Sequence, residues 1–211
     1  LVICHEDNAP LFSIYGNIAG VSKFPVLTDG GKLLCLQDGS GELIYGVEYS
    51  SLWYGDAMKS DGGWSLEIVD TRFPFFSGGN WKASTSKKGG TPGSANSVSG
   101  TNPDNFFHGI ANVFPQQADA IVVQFTEPLL TLMSDQDHVT IRGIEIREIV
   151  AVDPLFRLFI IIPEHPLAES RLYELSVSGE IKDFAGNPLE NADYKFGIPQ
   201  TAGAGDIRFN E

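Results

Sequence analysis

Apolar and polar residues alternate with a period of two along most of this chain, in short runs broken by Gly, Pro, Asp and Ser, which predicts strands joined by turns. "LVIC" (1–4) predicts a strand. "GKLLCLQDGSGELIYGVEYS" (31–50) predicts a hairpin that reverses at Asp38-Gly39-Ser40-Gly41. "WSLEIVD" (64–70) predicts a strand with Leu66 and Ile68 on one face. Further along, "AIVVQFTEPL" (120–129), "HVTIRGIEIREIVAV" (138–152), "RLFIIIP" (157–163), "YELSVSGEIKD" (173–183) and "YKFGIP" (194–199) read as strands at sandwich-like intervals, with a phase slip at Gly143 that marks a bulge or tight hairpin. Helical spacing is nearly absent; Pro166 to Ser170 is the best candidate for a single helical turn. The last residues, Asp206 to Glu211, again alternate, with Ile207 and Phe209 on one face and Arg208 and Asn210 on the other.

Composition agrees with this pattern: 23 Gly, 12 Pro and 14 Phe against 2 Met favour an all-β chain. The pattern breaks most clearly where residues 77–104 turn rich in Gly, Ser, Thr and Lys. We therefore expect a unit over 1–98, a linker over 99–104, a second unit over 105–199, and over 200–211 a linker followed by the opening strand of a further unit.

Charge removes several function classes. The net charge is −13, and residues 99–211 hold most of the excess, with 17 acidic and 7 basic groups. Binding to nucleic acid or to anionic lipid draws on clustered Lys and Arg, which are missing, so neither partner is expected. No apolar run approaches the roughly 20 residues of a membrane helix, so direct membrane insertion is not expected. An export signal, if present in the full protein, is expected upstream of Leu1.

Candidate chemistry is sparse. His5, His108, His138 and His165 are dispersed, and no nucleophile elbow, phosphate loop or paired metal motif occurs, so no enzymatic activity is expected. Asp135 and Asp137 in "SDQDH", and Asp38 and Glu42 in "DGSGE", are hard oxygen donors suited to Ca²⁺, although neither stretch has the spacing or ligand number of a recognised loop. Solvated turns are the simpler reading, and weak Ca²⁺ binding is the only cofactor expectation. Cys4 and Cys35 each lie in an apolar strand pattern, where buried free thiols are the simple reading. A Cys4–Cys35 disulfide is the alternative, worth about 3–4 kcal/mol in the chain-entropy model.

The densest motif region is "GGWSLEIVD" (62–70), "GGNWKAS" (78–84) and "KKGGTPGSANSV" (87–98). Trp64, Glu67, Trp81, Thr91, Pro92 and Gly93 are its structural markers, with Pro92 and Gly93 suited to a turn in which Gly takes positive φ. Trp53 and Tyr54 are the candidate ligand-contacting aromatics, although a core role is the commoner one for such residues. With "LIYGVEYS" and "LWYGD", these motifs resemble the C-terminal part of the bacterial lamin-tail domain, an immunoglobulin-like β-sandwich. The resemblance covers roughly residues 1–98 and leaves the family's opening "INEI"-like strand without a counterpart ahead of Leu1.

In the second unit, "VVQFTEPL" (122–129) followed by "YELSVSGEIKDFAGNPL" (173–189) is similar to bacterial Ig-like domains of adhesins and surface-layer proteins. Asp183, Gly186 and Asn187 mark its "DFAGN" turn, where Asp and Asn bond local amides and Gly supplies positive φ. The two resemblances together imply two Ig-like β-sandwich modules in tandem, from a larger exported bacterial protein at the cell surface or outside the cell. The expected role is structural or adhesive, with neighbouring modules of the same polypeptide as partners. The alternative they imply is an accessory module that binds a carbohydrate or protein ligand for a hydrolase elsewhere in the polypeptide. Residues 206–211 resemble the missing "INEI"-like strand, so strand exchange onto residues 1–98 of the same or a neighbouring molecule is a further expectation.

Overall fold

The computed structural model describes residues 1–73, 79–102, 104–130, 138–178, 180–190, 192–198 and 203. Its strands fall into two compact units, Leu1–Asp104 and Asn105–Glu211. Residues 99–102, read from composition as linker, are bonded into the first unit: Gly100 N–H donates to Val69 O and Asn102 N–H to Asp70 Oδ2.

In the first unit the strands come as three pairs. β1 (Val2–His5) and β2 (Ile18–Val21) run parallel. That arrangement needs a crossover of about a dozen residues, supplied by residues 6–17 with the short helix α1 (Ala9–Phe12). β3 (Gly31–Gln37) and β4 (Leu43–Ser50) form the expected hairpin, and β5 (Leu66–Ile68) pairs antiparallel with β6 (Trp81–Ala83). A second short helix, α2 (Ala57–Ser60), starts where the Asp56 carboxylate accepts from the Met58 and Lys59 amides. The buried apolar side chains of this unit, among the described residues, are only Cys4, Val47, Val69 and Ala83.

The second unit is a sandwich with a large core. One sheet has the order β10-β11-β8-β7 and the other β13-β12-β9. In the first of these sheets β7 spans Ile110–Gln117, β8 Ala120–Phe125, β10 Ile146–Ala151 and β11 Leu158–Pro163. In the second, β9 spans Val139–Ile141, β12 Leu172–Val177 and β13 Ala192–Gly197. Period-two burial places Phe159 and Ile161 of β11, Val123 and Phe125 of β8, Tyr173, Leu175 and Val177 of β12 and Phe196 of β13 in one continuous core. Phe125 meets Phe159 edge-on at 5.8 Å between ring centroids, and Tyr173 stacks on Phe196 at 5.6 Å. The Tyr173 hydroxyl accepts from Ala168 N–H, a tyrosine bonded back to the chain just upstream as in immunoglobulin folds. The chain is thus all-β, with an Ig-like sandwich, as the alternation predicted.

Several elements differ from the sequence reading: β2, β6, α1 and α2 were not expected, and three further differences have a plain physical reason. β7 was not expected, because Pro115 and the polar Asn112, Gln116 and Gln117 break the alternation; it is an edge strand, the one place in a sheet where Pro is tolerated. Residues 166–168 are not helical: Leu167 is buried, its N–H donates to Ala118 O, and Ser170 takes φ +56° in the turn that follows. In β5 the most buried side chain is Glu67, between the half-buried Leu66 and Ile68.

Candidate functional site

The two aromatics singled out from sequence sit in a groove of the first unit. A 3₁₀ turn over Ser51–Tyr54 follows β4; the Ser50 hydroxyl caps it by accepting from Leu52 N–H, and Gly55 closes it at φ +61°. This turn carries Trp53 against Trp81 of β6, with ring centroids 5.7 Å apart and planes inclined by 25°. The Tyr54 hydroxyl donates to Trp64 O. On α2, Lys59 Nζ lies 4.6 Å above the Trp64 ring and donates to Ser84 O at 2.8 Å. The groove, about 450 Å³, is lined among others by Leu52, Trp53, Tyr54, Lys59, Trp81 and Lys82. Trp53 and Trp81 are half-buried, so they are shared between packing and surface.

A network of hydrogen bonds around three buried polar residues ties β5 and β6 to the segment after them. Glu67 Oε1 accepts from the Thr91 hydroxyl at 2.7 Å, and Oε2 accepts from both the N–H and the hydroxyl of Ser97 at 2.7 Å each. Asn80, fully buried, accepts from Asp70 N–H and donates to Asp70 O and Phe73 O. Asp70 holds Arg72 in a two-pronged ion pair and also accepts from Asn102 N–H. The Thr91-Pro92-Gly93 turn is closed by Ser94 N–H to Thr91 O, and Gly93, at φ +71°, passes so close to Tyr15 that a Cβ would lie 2.4 Å from its carbonyl oxygen. Sequence reading marked Glu67, Thr91, Pro92 and Gly93 but missed Asp70, Asn80, Ser84 and Ser97. Short polar residues in a Ser- and Gly-rich stretch look like loop until their partners, some 30 positions away, are known.

Two of these carboxylates ionise more readily than usual. Burial opposes ionisation of Glu67, but the hydroxyls of Thr91, Ser97 and Ser84 and the Ser97 amide outweigh it, so its pKa is lowered. The Arg72 side chain, with the Asn102 and Arg72 amides, holds Asp70 well below the usual carboxylate range against a smaller desolvation effect. A depressed pKa means that the folded unit binds fewer protons than the unfolded chain, whose carboxyls titrate near roughly 4. Stability from these groups is therefore complete above about pH 5 and is lost as pH falls through that range and below. Urea melts of the first unit, followed by Trp fluorescence, should hold a constant midpoint from neutral pH to about 5 and then decline; a midpoint that rises on acidification contradicts the assignment.

The second unit contains the "DFAGN" turn as expected. Asp183 is buried and accepts from Asn187 N–H at 2.8 Å and from Asn187 Nδ2 at 2.9 Å, while Gly186 sits at φ +87°. A carboxylate oxygen of the buried Glu127 lies within 4.8 Å of one from Asp183, and Glu127 Oε1 is 3.5 Å from His108 N.

Asp38 Oδ1 accepts from the N–H and hydroxyl of Ser40 and from Glu42 N–H, which makes it the organiser of the hairpin turn. Asp135, Asp137 and residues 206–211, with the cation and strand-exchange expectations attached to them, lie outside the described residues. Both cysteines are free; Cys4 is buried in β1, but Cys35 faces solvent on β3, which corrects the expectation that both are buried. Among the histidines, His5 accepts from Asp7 N–H, His108 meets Phe106 edge-on, and His138 lies 3.5 Å from Glu180.

No curated protein matches the chain. Solved structures similar to it include the surface layer protein SbsC, domains 1-6, at 17% identity and a TM-score of 0.40, covering 44% of this chain and 14% of that one. The N-terminal part of the bacterial S-layer protein SbsC gives 19% identity and a TM-score of 0.38, covering 42% and 22%. The S-layer protein rSbsC(31-844) gives 17% and 0.39, covering 44% and 14%. The chain therefore spans less than a quarter of the length of each of these proteins. Residues 93–197, which take in every strand of the second unit, match the family model described as bacterial Ig-like domain.

Proposed function

We propose that the chain forms two non-catalytic β-sandwich modules of a larger exported bacterial surface protein, the first akin to a lamin-tail domain and the second an Ig-like spacer. The observation that carries this reading is the Ig-like family match over residues 93–197. The closed core of the second unit supports it: a sandwich whose interior is filled by Phe125, Phe159, Leu175 and Phe196 is suited to bearing load and holding neighbouring modules apart. The surplus of acidic groups supports an exposed, soluble location by mutual repulsion. An antibody raised against the chain should label intact cells of the producing bacterium, and external protease should remove the label. Labelling that appears only after lysis overturns the surface assignment.

A further inference from the structure

The groove at Trp53 sets basic and aromatic residues side by side in an acidic chain. Its lining includes two lysines and no carboxylate, in a protein of net charge −13. Its apolar part is the Trp53–Trp81 stack with Leu52, which is 85% exposed. Its volume, about 450 Å³, lies within the ~300–1,000 Å³ typical of ligand pockets.

We propose that this groove binds a carboxylate-bearing glycan. A pyranose ring offers what the lining requires: an apolar C–H face for the indole stack, hydroxyls for the Thr85 side chain, and a carboxylate for the lysines. Lys82 supplies the principal cation from β6, where it is exposed. Lys59 is held between Ser84 O and the Trp64 ring, so its charge is fixed in position before the ligand arrives. Aromatic rings beside lysines also suit single-stranded nucleic acid, but that mode relies on a basic track that neutralises several phosphates, and two lysines on an acidic protein do not form one.

The test uses the whole chain, with Trp fluorescence and calorimetry, and three probes: tetragalacturonic acid, neutral maltotetraose and oligothymidylate. Saturable binding of the acidic glycan alone is expected, weakening as added salt shortens the screening length from about 10 to about 3 Å. Lys82→Gln should weaken it by about fivefold or more, and Trp53→Ala should abolish it. Lys82 is exposed and stands across from Glu67 of β5, so the neutral glutamine avoids a like-charge pair and keeps the fold, which an unchanged melting curve will confirm; it decides the matter if Trp53→Ala unfolds. Absence of saturable binding, equal binding of maltotetraose, preference for oligothymidylate, or wild-type affinity in Lys82→Gln each overturns the proposal. None of these results depends on where the protein resides, so the surface assignment stands or falls separately.

Discussion

Phe159→Ala should lower the stability of the second unit by about 3–5 kcal/mol, the usual cost of truncating a fully enclosed aromatic ring. Phe159 is 1% exposed on β11, which lies between β10 and β8, and its ring meets Phe125 edge-on. Removal takes away both the transfer of the ring from water and its contacts, and the surrounding Val123, Ile161 and Leu175 are themselves locked in sheets that cannot collapse into the void. Against a total of about 5–15 kcal/mol for a domain, this is a large fraction. The readout is unusually clean, because Trp53, Trp64 and Trp81 all lie in the first unit. The variant should therefore shift the circular-dichroism transition of the second unit to lower urea while the Trp fluorescence transition stays where it was. A loss below about 1 kcal/mol would mean that the site is not enclosed as described.

Glu67→Ala should have the largest effect on the first unit, for a different reason. The carboxylate accepts from the Thr91 hydroxyl and from the amide and hydroxyl of Ser97, so its removal strands three donors at once. Thr91 is half-buried and Ser97 exposed, so water relieves part of the roughly 1–3 kcal/mol that each lost partner would cost in a closed interior, and a loss of about 2–3 kcal/mol is expected. The first unit has little apolar burial to absorb that loss, so the variant should show red-shifted Trp emission without denaturant, or a strongly reduced urea midpoint. Glu67→Gln keeps the shape and one accepting oxygen and should fall between wild type and Glu67→Ala. If Glu67→Ala unfolds at the wild-type midpoint, the network does not hold the segment after β6 and the account given for this unit is wrong.

These two predictions reflect two ways of stabilising a β-unit, and they explain what was legible in advance. The second unit is organised by apolar alternation, and alternation is written locally: Tyr173, Leu175 and Val177 announce their shared face with no reference to the rest of the chain. The "DFAGN" turn was legible for the same reason, since Asp183 bonds Asn187 only four residues away. In the first unit the order comes from polar pairs far apart in sequence. Glu67 was marked only as part of a motif, because the partners that make it interior are 24 and 30 positions later. Likewise the parallel pairing of β1 with β2 depends on the helical crossover between them, which the alternation does not encode.

The candidate groove shows the same division. Sequence named Trp53 and Tyr54 as aromatics of interest, but not the residues that give the groove a charge. Lys59 and Lys82 lie on different elements, α2 and β6, and only the packing of those elements beside the Ser51–Tyr54 turn brings both residues into the lining of one groove. The sequence by itself determined that this protein is all-β, where most of its strands and turns fall, and which aromatics merit attention, because each of these follows from composition or from neighbours a few residues apart. The tertiary structure alone decided that Glu67, Asp70 and Asn80 are interior, that Cys35 is exposed while Cys4 is not, and that two lysines meet a tryptophan stack in one groove. Burial and charge environment belong to contacts between distant segments, and no local pattern contains them.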